Sequence, residues 1–137
     1  MRYLGIDVGR ARIGLALADD VLRTARAHRT VHRRGDAADL AALAEVAARY
    51  EVTRLVIGLP LNMDGTEGGS AKLARSFAAR LEVRLGLPVE FQDERLSTFE
   101  ASTRLRDQGL SARDQKGVID AEAAAVILQG WLDGRSA

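Results

Sequence analysis

The sequence predicts a mixed α/β sheet with helices covering its faces, on three observations. Two short segments, 2–8 and 12–18, alternate large aliphatic with small or polar residues, the period of a strand. The run "RLVIGLP" at 54–60 is continuously apolar and carries β-branched residues, which suits a buried parallel strand. Apolar residues recur at helical spacing after Asp36, after Ser70 and from Val118.

In chain order, the first two strands are joined by "GRAR" and read as a hairpin. Leu4, Ile6 and Val8 fall on one face of the first strand; Tyr3, Gly5 and Asp7 fall on the other. On the second strand Gly14, Ala16 and Ala18 make a row of small residues that lets a helix or a substrate backbone approach closely. A third strand lies within 22–32, its polar alternation placing it on the outside of the sheet. Asp36 is the expected N-cap of a helix whose apolar stripe is Leu40, Leu43, Ala47 and Tyr50. After the strand at 54–60 comes the glycine-punctuated loop "LNMDGTEGG". Ser70 then caps a helix presenting Ala74, Phe77, Leu81 and Leu85, which Gly86-Leu87-Pro88 stops. "VEF" at 89–91 restarts a strand. Ser97 and Glu100 have the spacing of a capping box, so a helix is expected to about Gln108, broken by Gly109. A last helix runs from about Val118 to Leu132.

At 137 residues the chain has the length of one domain. With 47% hydrophobic and 28% charged residues it reads as a globule rather than a disordered tail. The absence of cysteine excludes disulfides and thiolate metal sites. No apolar run approaches the roughly 20 residues that cross a bilayer. The chain enters a strand pattern at once, so no secretory leader is expected and the cytoplasm is the default. The net charge of +1 conceals an asymmetry: residues 1–34 carry eight arginines against Asp7, Asp19 and Asp20. Arginine forks match phosphate geometry, so a basic edge of this kind could hold a polyanion. Compositional bias is the competing explanation. His28 and His32, about 13 Å apart on a strand, are too distant to share one ion.

Three acids stand where an apolar or solvated residue would be the simpler choice. Asp7 interrupts an apolar strand, and an unpartnered carboxylate there is costly. Asp120 lies within roughly 40° of Ala124, Ile127 and Trp131 on the last helix and so points inward, whereas Glu122 falls about 200° away and reads as a solvent residue. Glu94 follows the end of the strand at 89–91, and ligands of open sheets gather at the carboxyl ends of parallel strands. Each has a plainer reading: a salt bridge from Asp7 to Arg10 or Arg12, a solvated charged turn at Glu94, a macrodipole acid at Asp120. Together, three hard oxygen donors without histidine or cysteine suit Mg2+ or Mn2+. Two such ions can clamp the attacking and leaving oxygens of a phosphoryl displacement.

"LGIDVGRARIGLA" (4–16), "VIGLPLNMDGTEG" (56–68), "DERLST" (93–98) and "IDAEAAAVILQGWL" (119–132) closely resemble the YqgF family, also called RuvX. The resemblance covers nearly the whole chain in the family's order. It implies a single RNase H-like nuclease domain over 1–137: a mixed five-stranded sheet with helices on both faces, and acids binding two divalent ions. By motif those acids are Asp7, Glu94 and Asp120, with Asp93 open as an alternative to Glu94. The family is described both as a nuclease trimming the 5′ end of pre-16S ribosomal RNA and as a Holliday-junction resolvase. The partner is therefore nucleic acid, precursor RNA or branched DNA, and a resolvase would be a homodimer. Arg10, Arg12 and Arg95 are candidates for phosphate contact. Asp64, Gly65 and Thr66 are candidates for a flap over the scissile phosphate. Two other classes compete. An actin-like sugar kinase would need a second domain and a second phosphate loop, and a non-catalytic nucleic-acid module would be ill served by three acids facing a polyanion.

Overall fold

The computed structural model describes residues 1–94, Ala101 and 118–135. The hairpin forms as the alternation predicts: β1 (Arg2–Val8) pairs antiparallel with β2 (Arg12–Asp19), Ile6 opposite Leu15 and Asp7 opposite Gly14. β3 (Arg26–His32) adds antiparallel to β2 with a register shift at Leu15/Ala16. The chain then crosses through α1 (Asp36–Arg49) to β4 (Arg54–Leu59), and through α2 (Gly69–Leu85) to β5 (Val89–Asp93). β4 lies parallel to β1, and β5 parallel to β4. The sheet order is β3-β2-β1-β4-β5, so β3 is an edge strand, as its polar alternation indicated. The last described helix, α3 (Ile119–Gly134), packs across β1, β2 and β3 and reaches β4.

Strand alternation divides the core into two layers. Leu4, Ile6, Ile13, Leu15, Leu55 and Ile57 meet Leu43 of α1 and Phe77 and Leu81 of α2 on one face. These side chains are fully buried, each worth about 1.5–3 kcal/mol against exposure. The other face is shallower. Tyr3, Ala16 and Val56 meet Ala124, Ile127, Leu128 and Trp131 of α3. A Cβ on Gly5 would lie 2.7 Å from Leu128 Cβ, and one on Gly14 would enter the Asp120 carbonyl. The row of small residues is therefore the bed of a helix.

Three local expectations shift. Asp36 is the first residue of α1 rather than its cap; Gly35, at φ 120°, occupies the cap, while Arg33 and Arg80 hold the Asp36 carboxylate. Likewise α2 begins at Gly69 behind Gly68, with no side-chain cap from Ser70. Glu122 is buried (7% exposed) rather than solvated. The physical reason is that α3 is covered nearly all round, Ala121, Ala123 and Ala125 being buried as well. Gly86 does end α2, in the left-handed region at φ 67°. Apart from Ala101, which is helical and buried, the capping-box helix expected over 97–108 lies outside the described residues, as do its break at Gly109 and Arg95.

Candidate active site

The carboxyl ends of β1, β4 and β5 point the same way, and two of the predicted acids meet there. Asp7 is on the α3 face of β1. Because Ile6 pairs with Ile57, the neighbour of Asp7 on β4 is Gly58. Gly58 supplies no side chain, and Glu94, one residue past β5, lays its carboxylate over the vacant surface; a Cβ on Gly58 would overlap Glu94 Oε2 and come 2.5 Å from Ile127 Cδ1. A backbone hydrogen bond from Glu94 N to Leu59 O (3.2 Å) fixes the approach. The glycine in "VIGLP" is thus the gap through which two acids on non-adjacent strands touch, a role that periodicity alone does not reveal.

The electrostatics of this pair are those of a shared proton. Glu94 is pushed up to about 9, first by burial, then by the Asp7 charge and by the hydrogen bond it donates to Asp7, with Asp93 adding to the effect. Asp7 is also raised, chiefly by burial; the bond from Glu94 pulls it down and the charge of Asp120 pushes it further up. Glu94 Oε2 is buried and takes no hydrogen bond.

Asp120 stands close enough to act electrostatically on Asp7, but Arg12 holds its carboxylate, Nε to Oδ2 at 2.6 Å. Among the described residues no three acids or histidines are gathered as ligands of one ion. The structure therefore brings two of the three acids into contact and sets the third beside them on a guanidinium. Arg12 faces this acid, while Arg10 reaches across to the start of α2, its Nη2 4.0 Å from where a Gly69 Cβ would stand. Asp64, Gly65 and Thr66 form a self-bonded tip: Thr66 N and Oγ1 both donate to Asp64 Oδ1, and Asn62 closes the turn. Asp93 is exposed at the end of β5. His28 packs edge-on against Tyr50, with ring centroids 4.9 Å apart, and His32 is exposed, so they do not form a metal pair.

A second acid escaped the sequence reading. Asp39 is buried at the start of α1, where Arg33 Nε (3.0 Å) and Arg34 N (3.0 Å) both donate to it. Arg33 also donates to Gly9 O (3.2 Å) and lies over Phe77, tying the β1–β2 turn beside Asp7 to both helices. Asp39 precedes Leu43 by four residues on the buried stripe, and that spacing was the available signal.

Two half-buried carboxyls, one unsatisfied buried oxygen and hard oxygen chemistry fit a divalent cation, which would replace the shared proton. The sign of the resulting pH dependence is determinate. Between the ordinary glutamate value of 4.5 and about 9, the folded protein keeps a proton on Glu94 that the unfolded chain has lost. Metal-free protein is therefore expected to lose stability as pH rises through that window, and Glu94→Gln to flatten the dependence. Denaturant unfolding in chelator at pH 6, 7.5 and 9 checks this. Equal slopes for parent and variant would show that Glu94 does not carry the proton.

A family model described as "RuvX: Holliday junction resolvase" matches residues 1–134. The chain belongs to the RuvX family. Relatives named "Putative pre-16S rRNA nuclease" include one from Anaeromyxobacter dehalogenans (strain 2CP-C), 73% identical over 136 residues and 99% of both chains. Another, from Moorella thermoacetica, is 50% identical over 133 residues, 97% of this chain and 95% of the relative. Among solved structures, RuvC of T. thermophilus in complex with a Holliday junction substrate aligns over 98% of this chain and 95% of its own, with TM-score 0.63 and 19% identity. That likeness places this RuvX member in the RNase H-like fold, with helices on both faces of a mixed five-stranded sheet. No helix of the described residues is long and apolar enough to cross a membrane.

Proposed function

We propose that this chain is a metal-dependent nuclease that hydrolyses phosphodiester bonds in the 5′-end processing of pre-16S ribosomal RNA, as a single domain over 1–137 working in the cytoplasm. The observation that carries the reading is the contact of Asp7 with Glu94 across Gly58, beside Asp120, at the carboxyl ends of parallel strands. The names borne by relatives up to 73% identical support RNA as the substrate.

Asp7, Glu94 and Asp120 would hold Mg2+ or Mn2+, as two ions. When bound, such ions lend Lewis acidity to the phosphodiester and acidify a water. Hydrolysis joins a water oxygen to phosphorus and breaks one P–O ester bond, the leaving oxygen taking a proton. Glu94 holds a proton that a bound cation would replace. Arg12 holds Asp120 at the helix start, and an approaching phosphate competes for that guanidinium. Arg10 and Arg95 are further phosphate contacts in this reading. Asp64, Gly65 and Thr66 belong to a flap over the scissile phosphate. Replacing all three by alanine is expected to raise KM several-fold by opening the turn, and an unchanged KM would make the loop a plain connection.

The second reading is resolution of four-way DNA by a two-fold dimer, favoured by the family's description and by the RuvC likeness in fold. One experiment separates the two. Purified protein with Mg2+ or Mn2+ is offered precursor RNA and four-way DNA side by side, with Asp7→Asn in parallel. Metal-dependent cutting of the RNA, lost in the variant, is the expected result; paired symmetric cuts in the junction alone would favour the resolvase. Absence of cutting, with binding unaffected by chelator, would leave a non-catalytic binding module.

A further inference from the structure

The arginine excess of the first 34 residues is not used up by the acids of the site. Arg12 is paired with Asp120 and Arg33 with Asp39, but among the described residues Arg29 and Arg34 form no ion pair and are exposed. Both line a groove of about 360 Å³ between the free edge of the sheet at β3 and helix α1, with His32 between them in sequence. The opposite wall is low because α1 presents Ala38 and Ala42 there. The groove's one acid, Asp39, is already satisfied by Arg33 and by the Arg34 backbone N–H, so no free carboxylate opposes an anion.

The groove lies on the α1 face of the sheet and the acids on the α3 face, but both lie at the same end of the strands. β2 is antiparallel to both of its neighbours, so β3 runs parallel to β1 and ends at the same edge as Asp7. His32 at that end pairs with Arg12, which holds Asp120. Two strand spacings, about 10 Å, separate β3 from β1. A charged edge strand has a plainer use, the prevention of edge-to-edge pairing. That use requires charge but not a groove.

We infer that the β3–α1 groove, through Arg29 and Arg34, holds the phosphate backbone of the single-stranded RNA segment flanking the cut. The inference rests on the nuclease reading above and adds where the RNA beyond the cut is held, round the end of the sheet on its other face. Single-stranded RNA is the occupant because the groove is at the small end of ligand-sized pockets, whereas a junction offers duplex arms with two backbones each. Two phosphates held there release their counterions in a salt-dependent way, with about 0.7 of a slope unit for each.

The test uses the full chain carrying Asp7→Asn, with Mg2+, and a labelled single-stranded RNA oligonucleotide titrated at several salt concentrations. Adding Arg29→Gln and Arg34→Gln together is expected to raise Kd about tenfold and to lower the log Kd–log salt slope by about 1.4. The same pair in the otherwise unaltered protein should raise KM for RNA cleavage and leave kcat unchanged. Arg84→Gln, an exposed arginine of α2 outside the groove, should change none of these. Unchanged Kd and slope, or an equal loss with Arg84→Gln, would each overturn the assignment. A groove effect on binding in a protein that cuts nothing would support the groove and sink the nuclease reading; cutting without a groove effect would do the reverse.

Discussion

Asp7→Asn protein is expected to fold as the parent does and to cleave RNA about a thousandfold more slowly or worse, a loss of about 4 kcal/mol of transition-state stabilisation. The two side chains have the same shape, so the strand and its pairing with β2 and β4 are not disturbed. What disappears is a charge that burial and Asp120 already oppose in the metal-free protein. The variant should therefore be no less stable than the parent in chelator while losing a carboxylate oxygen proposed to hold the metal. Thermal unfolding and single-turnover cleavage measure the two halves. Turnover within tenfold of the parent would remove Asp7 from the mechanism.

Gly14→Ala should damage structure and activity together. A Cβ at Gly14 would be driven into the carbonyl oxygen and carbon of Asp120, with Ala121 N at 2.9 Å. These are backbone atoms at the first turn of α3, so no rotamer change can relieve the overlap; the helix start itself must move. Overpacking of this kind costs about 1–3 kcal/mol, which corresponds to a Tm lower by roughly 3–10 °C for a chain of this length. Because the displaced turn carries Asp120, the molecules that still fold should cut about tenfold or more slowly. An unchanged Tm would show that α3 does not rest on β2 as described.

The two acids fare differently under the same logic. Glu94 can be neutralised without steric consequence, so its loss is read through pH and metal. Asp120 is already engaged by Arg12, so its contribution depends on what the guanidinium does when a phosphate arrives. These differences arise from neighbours, not from residue type.

Much of this was legible in the chain itself. The two-residue period placed Asp7 on the face opposite Leu4, Ile6 and Val8, and the structure puts those three in the layer facing α1 and α2. The run at 54–60, the stop at Gly86 and the small residues of β2 each specify local geometry, and all three are realised. The 100° arithmetic oriented Asp120 correctly toward the sheet but misplaced Glu122, because a helix angle says which residues share a face and not how many faces are covered. The same limit hid Asp39, whose burial is tolerated because Arg33 comes from the end of another element.

Local chemistry, then, determined the strands, the helices and the acids at their ends, since period, capping and turn preference act over a few residues. Only the tertiary structure decided that Glu94 reaches Asp7 through the gap at Gly58, that Arg12 closes on Asp120, and that Arg29 and Arg34 border an open groove. Each of those depends on the packing of segments distant in sequence, where distance and burial set the energy of a charge.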